Sequence, residues 1–137
     1  MSDLSRSKQR ENAFILVFEH IFNPELTLEE LADIVKETEL FEITDFTLQL
    51  TSAVFEHTDD IDAAISEYLK GWKLARLSKV TLALLRLAAA ELLYIDNIPS
   101  KVTANEAVEL AKTYGDEGDP KYINGVLGAF IRARNIQ

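Results

Sequence analysis

The chain contains no cysteine, and this single absence removes disulfides, thiolate zinc sites, iron–sulfur clusters and a cysteine nucleophile together. It also fits a reducing, cytoplasmic setting. Histidine is nearly as scarce. His20 and His57 lie in separate segments, neither with a histidine or carboxylate at the i, i+4 spacing of a helical metal site, so ordinary surface or boundary positions are expected for both. There is no G-x-S-x-G elbow, no phosphate-cradling glycine loop and no EF-hand pattern. The expectation is a protein without catalytic residues, metal or cofactor.

Long apolar runs are missing as well. The most hydrophobic window, Val80 to Ile95, is interrupted by Arg86 and Glu91 and falls short of the roughly 20 residues needed to span a bilayer. The first twenty residues lack the apolar core and small-residue cleavage site of a secretion signal. A cytoplasmic protein with no membrane partner is therefore expected. No period-two strand pattern persists, and neither an internal repeat nor a low-complexity segment stands out.

What remains has the composition of a folding protein: 137 residues, 47% hydrophobic and 27% charged. That length fits one domain able to bury roughly two-thirds of its unfolded surface. The net charge is −9, which as an average disfavours binding to phosphate backbones. The average conceals a segregation. Between Glu25 and Glu67 thirteen acidic residues face Lys36 alone, so the rest of the chain sums to +3.

Helical periodicity accounts for almost the whole sequence. Phe14, Val17, Phe18, Ile21 and Phe22 share one face of a helix over Arg6–Phe22, stopped by Asn23-Pro24. Thr27 with Glu30 has the form of a capping box ahead of Leu28, Leu31, Ile34 and Val35. Thr44 or Asp45 caps a third helix with Phe46, Leu50, Ala53 and Val54 inward, and Asp59 or Asp60 opens a fourth that closes at Gly71. Leu77 to Ile95, apolar on nearly every side, is the expected central helix. Thr103 with Glu106 offers another capping box, although the helix could begin nearer Ser100, and it ends at Gly115. Asp119-Pro120 opens a last helix, Lys121 to Arg134. The expected architecture is all-α, about seven helices in a single domain over 1–137. Two packed sub-bundles, roughly 1–76 and 77–137, would be joined through the linker near Trp72 to Ser78.

Two places could carry binding chemistry. Arg6, Lys8 and Arg10 put three cations within two turns at the first helix, enough for a few salt-sensitive phosphate contacts or simply a solvated charged end. In the last helix Lys121 precedes Tyr122, a ring that could stack an unpaired base or pack at the helix start. Asn124-Gly125 and Gly128 follow. A glycine inside a helix costs about 1 kcal/mol relative to alanine, and close approach of a neighbouring helix is the favoured explanation, with an open ligand surface as the alternative.

Leu85-Arg86-Leu87, Glu91-Leu92, Ile98-Pro99, Asn105 to Lys112 (NEAVELAK) and Tyr122 to Leu127 (YINGVL) occur in that order and spacing. In this the chain resembles the NusB family of transcription antitermination factors, closely over about the last sixty residues and in layout over the first eighty. The resemblance implies two packed helical sub-bundles and a heterodimer with NusE, a ribosomal small-subunit protein. It further implies binding to the single-stranded boxA element of ribosomal RNA leaders within the transcription elongation complex. Carried over by position, it implies RNA contacts by Arg6, Lys8, Arg10, Lys121, Tyr122 and Asn124. Ser7, Gln9 and Ile15 stand where the family often has basic or polar residues. The acidic block would repel RNA within about 8 Å, one Debye length, while attracting a basic ribosomal protein. RNA binding that depends on the partner is the resulting expectation. The alternatives are a homodimer that covers the basic patch, and a relative of the NusB-like domains fused to RNA methyltransferases.

Overall fold

The computed structural model describes residues 4–137. Among them are seven α-helices, α1 (Arg6–Phe22), α2 (Leu28–Thr38), α3 (Asp45–Glu56), α4 (Thr58–Ser66), α5 (Lys79–Tyr94), α6 (Ser100–Tyr114) and α7 (Asp119–Ala133), with a 3-10 turn at Leu74–Arg76 and no strand. Among the described residues no helix is long and apolar enough to cross a membrane.

Local chemistry sets most boundaries. Ser5, Thr44 and Ser78 each accept the backbone N–H three residues on, at 3.1, 3.3 and 3.1 Å, and so satisfy one of the donors that a helix start leaves free. At α2 the capping box is complete: Thr27 and Glu30 each take the other's backbone N–H at 3.1 Å. The second sequence-level box does not form. Helix α6 starts at Ser100 behind Pro99, and Thr103 instead donates its hydroxyl to Glu91 while Glu106 accepts from Ser7. Nor does Asp119 cap α7 from outside; it is the first helical residue, and Gly118 precedes it.

Helix α5 is the axis of the fold. Ten of its sixteen residues are buried, which requires neighbours all round, and α1, α3, α4, α6 and α7 all pack on it. One core runs through these helices, with Phe14, Leu50, Ile61, Leu84, Leu85, Ile123, Leu127 and Phe130 almost wholly enclosed. Leu85→Ala would cost about 2–5 kcal/mol from such a site. A smaller cluster of Leu16, Leu31 and Val35 seats α2 against α1. Arg86 clamps α5 to α4 through two hydrogen bonds of 2.8 Å to Asp62.

The segment between α4 and α5 follows a fixed path. Lys70 and Gly71 both have positive φ, 53° and 89°, which glycine adopts without strain and lysine rarely does. This reverses the chain so that the Trp72 N–H reaches the Leu69 carbonyl at 3.1 Å.

Candidate nucleic-acid interface

The three N-terminal cations have different fates. Arg6 is exposed and its guanidinium lies 4.0 Å from the centre of the Phe46 ring, a cation–π contact. Lys8 is exposed but paired with Glu11 at 2.8 Å, and the depression beside it is lined by Glu11, Glu106 and Glu109. The Lys8 and Tyr114 hydrogen bonds hold the Glu11 carboxyl below its usual range. Accepting that bond from Tyr114 at 2.6 Å, Glu11 helps push the Tyr114 phenol up to about 12.

Arg10 departs from the expected phosphate contact. It is 4% exposed, and its guanidinium donates to both oxygens of Glu91, itself 2% exposed, at 2.7 and 3.0 Å. Glu106 lies 3.8 Å away on the outer side. A desolvated, doubly bonded guanidinium is not available to RNA, and its role is to join α1, α5 and α6. Helical periodicity hid this: Arg10 shares a face with Phe14 and Val17, so it points inward with them.

The α7 residues lie together. Lys121 and Asn124 are exposed, Tyr122 is half-buried, and all three line one depression of about 490 Å³ with Lys70 and Gly125. The Tyr122 hydroxyl donates to the Leu69 carbonyl at 3.0 Å, which fixes the ring against the α4–α5 segment, and burial pushes its phenol up. Gly125 has a different reason from the helix approach expected. A Cβ there would stand 2.9 Å from Lys70 Nζ, so the bare backbone lets a lysine side chain lie across α7. At Gly128 the nearest group is likewise a side chain, Arg132 of the same helix.

Sequence reasoning passed over Lys70, Trp72 and Arg76. The signal is the run KGWKLARLSK over 70–79, with four cations and no acid, which by its position between helices reads as a linker. His20 stacks on Phe55 and His57 on Tyr94, ring centres 4.0 Å apart in each pair. Among the described residues no group of three or more histidines and carboxylates gathers at metal-binding distance.

Comparison with known proteins places this geometry. The family model described as the NusB family matches residues 7–132. The transcription antitermination protein NusB of Oceanobacillus iheyensis is 41% identical over 128 residues, covering 93% of this chain and 99% of that one. Among solved structures, NusB of T. maritima superposes with a TM-score of 0.84 at 34% identity, over 96% of this chain and 93% of the other. A crystal structure of the antitermination factors NusB and NusE in complex with dsRNA superposes with a TM-score of 0.82 at 27% identity, over 93% of this chain and 96% of that chain. Matched nearly end to end in sequence and in fold, the chain belongs to the NusB family.

Proposed function

We propose that this protein is a cytoplasmic transcription antitermination factor, not an enzyme, that binds boxA-like single-stranded RNA together with NusE and so supports transcription of ribosomal RNA. Family membership supports the activity, and the relative crystallised with NusE and RNA supports the class of partners. The observation that carries the site is the grouping of Lys121, Tyr122 and Asn124 in one open depression, with a cation for phosphate, a fixed aromatic face for a base and an exposed amide for a base edge. Arg6 and Lys8 add weaker phosphate contacts, because each already has an intramolecular partner. Arg10 contributes only by holding α1 in place.

Charge explains the need for a partner. With −12 concentrated between residues 25 and 67, the free chain repels RNA at long range, while a basic ribosomal protein is attracted and offsets that field. Titration of boxA-like RNA at about 0.15 M salt, where the Debye length is roughly 8 Å, tests this. Tighter binding with NusE present is expected; equal affinity with and without it would contradict the reading.

A further inference from the structure

We propose that the RNA surface continues from α7 onto the α4–α5 segment, where Trp72 stacks a second base of the single strand and Lys70 and Arg76 hold the phosphates on either side. The inference rests on the RNA-binding reading above and extends it to residues outside the site so far described.

Charge selects this segment. The four cations of residues 70–79 are all exposed, and among the described residues none of them forms an ion pair. On α1, by contrast, Lys8 is paired and Arg10 is enclosed. Unpaired cations on a chain of net charge −9 are where a polyanion gains most from neutralisation and counterion release.

The aromatic residue is placed to match. Trp72 is 58% exposed, although an indole is among the side chains that gain most from burial. It lines a depression of about 280 Å³ together with Arg76 and Tyr122, and Tyr122 is also a wall of the α7 depression that holds Lys70, Lys121 and Asn124. One ring therefore belongs to both depressions, and a strand laid across α7 meets Tyr122 first and Trp72 next. The Leu69 carbonyl ties the two residues together, accepting the Tyr122 side-chain hydroxyl at 3.0 Å and the Trp72 backbone N–H at 3.1 Å. The left-handed turn at Lys70-Gly71 sets that backbone geometry, and the missing Cβ of Gly125 leaves room for Lys70 Nζ against α7, in the depression that Tyr122 lines. A cationic groove with one anchored and one exposed aromatic is an arrangement that holds unpaired nucleotides by stacking and backbone charge. Asp119, on the rim of the Trp72 depression, has its carboxylate engaged by the Asp116 N–H at 2.8 Å.

The test uses the full chain with NusE and a short boxA-like RNA carrying a fluorophore. Trp72→Ala is expected to weaken binding roughly 5- to 150-fold, the range for one lost base stack, and Trp72→Phe to retain most of the affinity. Lys70→Gln with Arg76→Gln is expected to flatten the plot of log affinity against log salt by about 1.4, two single-strand phosphates. Trp72 is the only tryptophan of the chain, so the fluorescence that distinguishes wild type from Trp72→Phe reports its environment and should change when RNA is added. Circular dichroism checks that each variant folds. If wild type binds RNA and Tyr122→Ala weakens it, while the Trp72 and Lys70/Arg76 variants bind normally, the extension is wrong and the α7 site stands. If Trp72→Ala loses NusE with RNA affinity unchanged, the surface belongs to the protein partner and the proposal is overturned. No RNA binding by wild type would overturn both.

Discussion

The guanidinium of Arg10 sits on the carboxylate of Glu91, 81 residues away in sequence, through hydrogen bonds of 2.7 and 3.0 Å in the interior of the bundle. Thr103 donates a third bond to the same carboxylate, so α1, α5 and α6 meet at one acid. Removing either member of a buried pair strands the other without solvent, which costs about 3–5 kcal/mol. Glu91→Ala and Arg10→Ala should therefore each lower unfolding free energy by that amount in urea titrations. RNA affinity per folded molecule should stay unchanged. An Arg10→Ala protein of normal stability but weakened RNA binding would return Arg10 to the interface.

Gly125 separates helix stability from function. A Cβ there meets only the end of the flexible Lys70 side chain, at 2.9 Å, and the lysine can swing away. Gly125→Ala should then raise stability by about 0.5–1 kcal/mol through helix propensity while displacing Lys70 and weakening RNA binding a few-fold. Thermal unfolding and RNA titration of the same sample read both effects, and a destabilised variant would show that the glycine serves backbone packing instead.

The pH response of His20 has a definite sign. Burial, with Phe55 stacked on the ring, pushes its pKa below the ordinary 6.5, so the fold prefers the neutral imidazole. Its contribution is complete above pH 6.5 and is lost as pH falls through the lower folded value. Titration of the His20 ring by NMR should give a midpoint below 6.5, and His20→Phe should flatten the fall in stability over the same interval. A midpoint at or above 6.5 would contradict the burial argument.

Tyr114 responds at the alkaline end. Its hydrogen bond to Glu11 raises the phenol to about 12, so the contribution it makes is present below pH 10 and is lost as pH rises through 12. Ultraviolet titration should show, besides a late step from the half-buried Tyr122, the Tyr114 step near pH 12. Tyr114→Phe should remove that step and let the Glu11 carboxyl rise, since the lost bond is one of the two that lower it.

Much of the fold was legible because the determining physics is local. Helix α1 ends at Phe22 before Asn23-Pro24 as its pattern requires, and α2 carries the Thr27–Glu30 box. The breadth of apolar residues in 77–95 marked the central helix, although Leu77 lies outside it and Ser78 is its cap, so that α5 starts at Lys79. What local pattern could not supply was the destination of polar side chains. Thr103 and Glu106 fit a cap signature, yet Glu91 and Ser7 bind them from other helices. Arg10 was counted as a surface cation because its partner lies in α5. For the site, the sequence offered Lys121 beside Tyr122 and the family resemblance added Asn124, whereas Lys70 joins them because a left-handed turn folds residues 70–76 back onto α7.

Whether RNA lies against the α7 face is decided by the affinity of the NusE-bound protein for boxA-like RNA, compared between wild type, Tyr122→Phe and Tyr122→Ala. Tyr122→Ala should lose about 1–3 kcal/mol of RNA binding, the value of one stacked base. Tyr122→Phe should bind nearly as wild type, giving up only about 1 kcal/mol of folding stability with the Leu69 hydrogen bond. Equal affinity in all three proteins would place the RNA away from Tyr122.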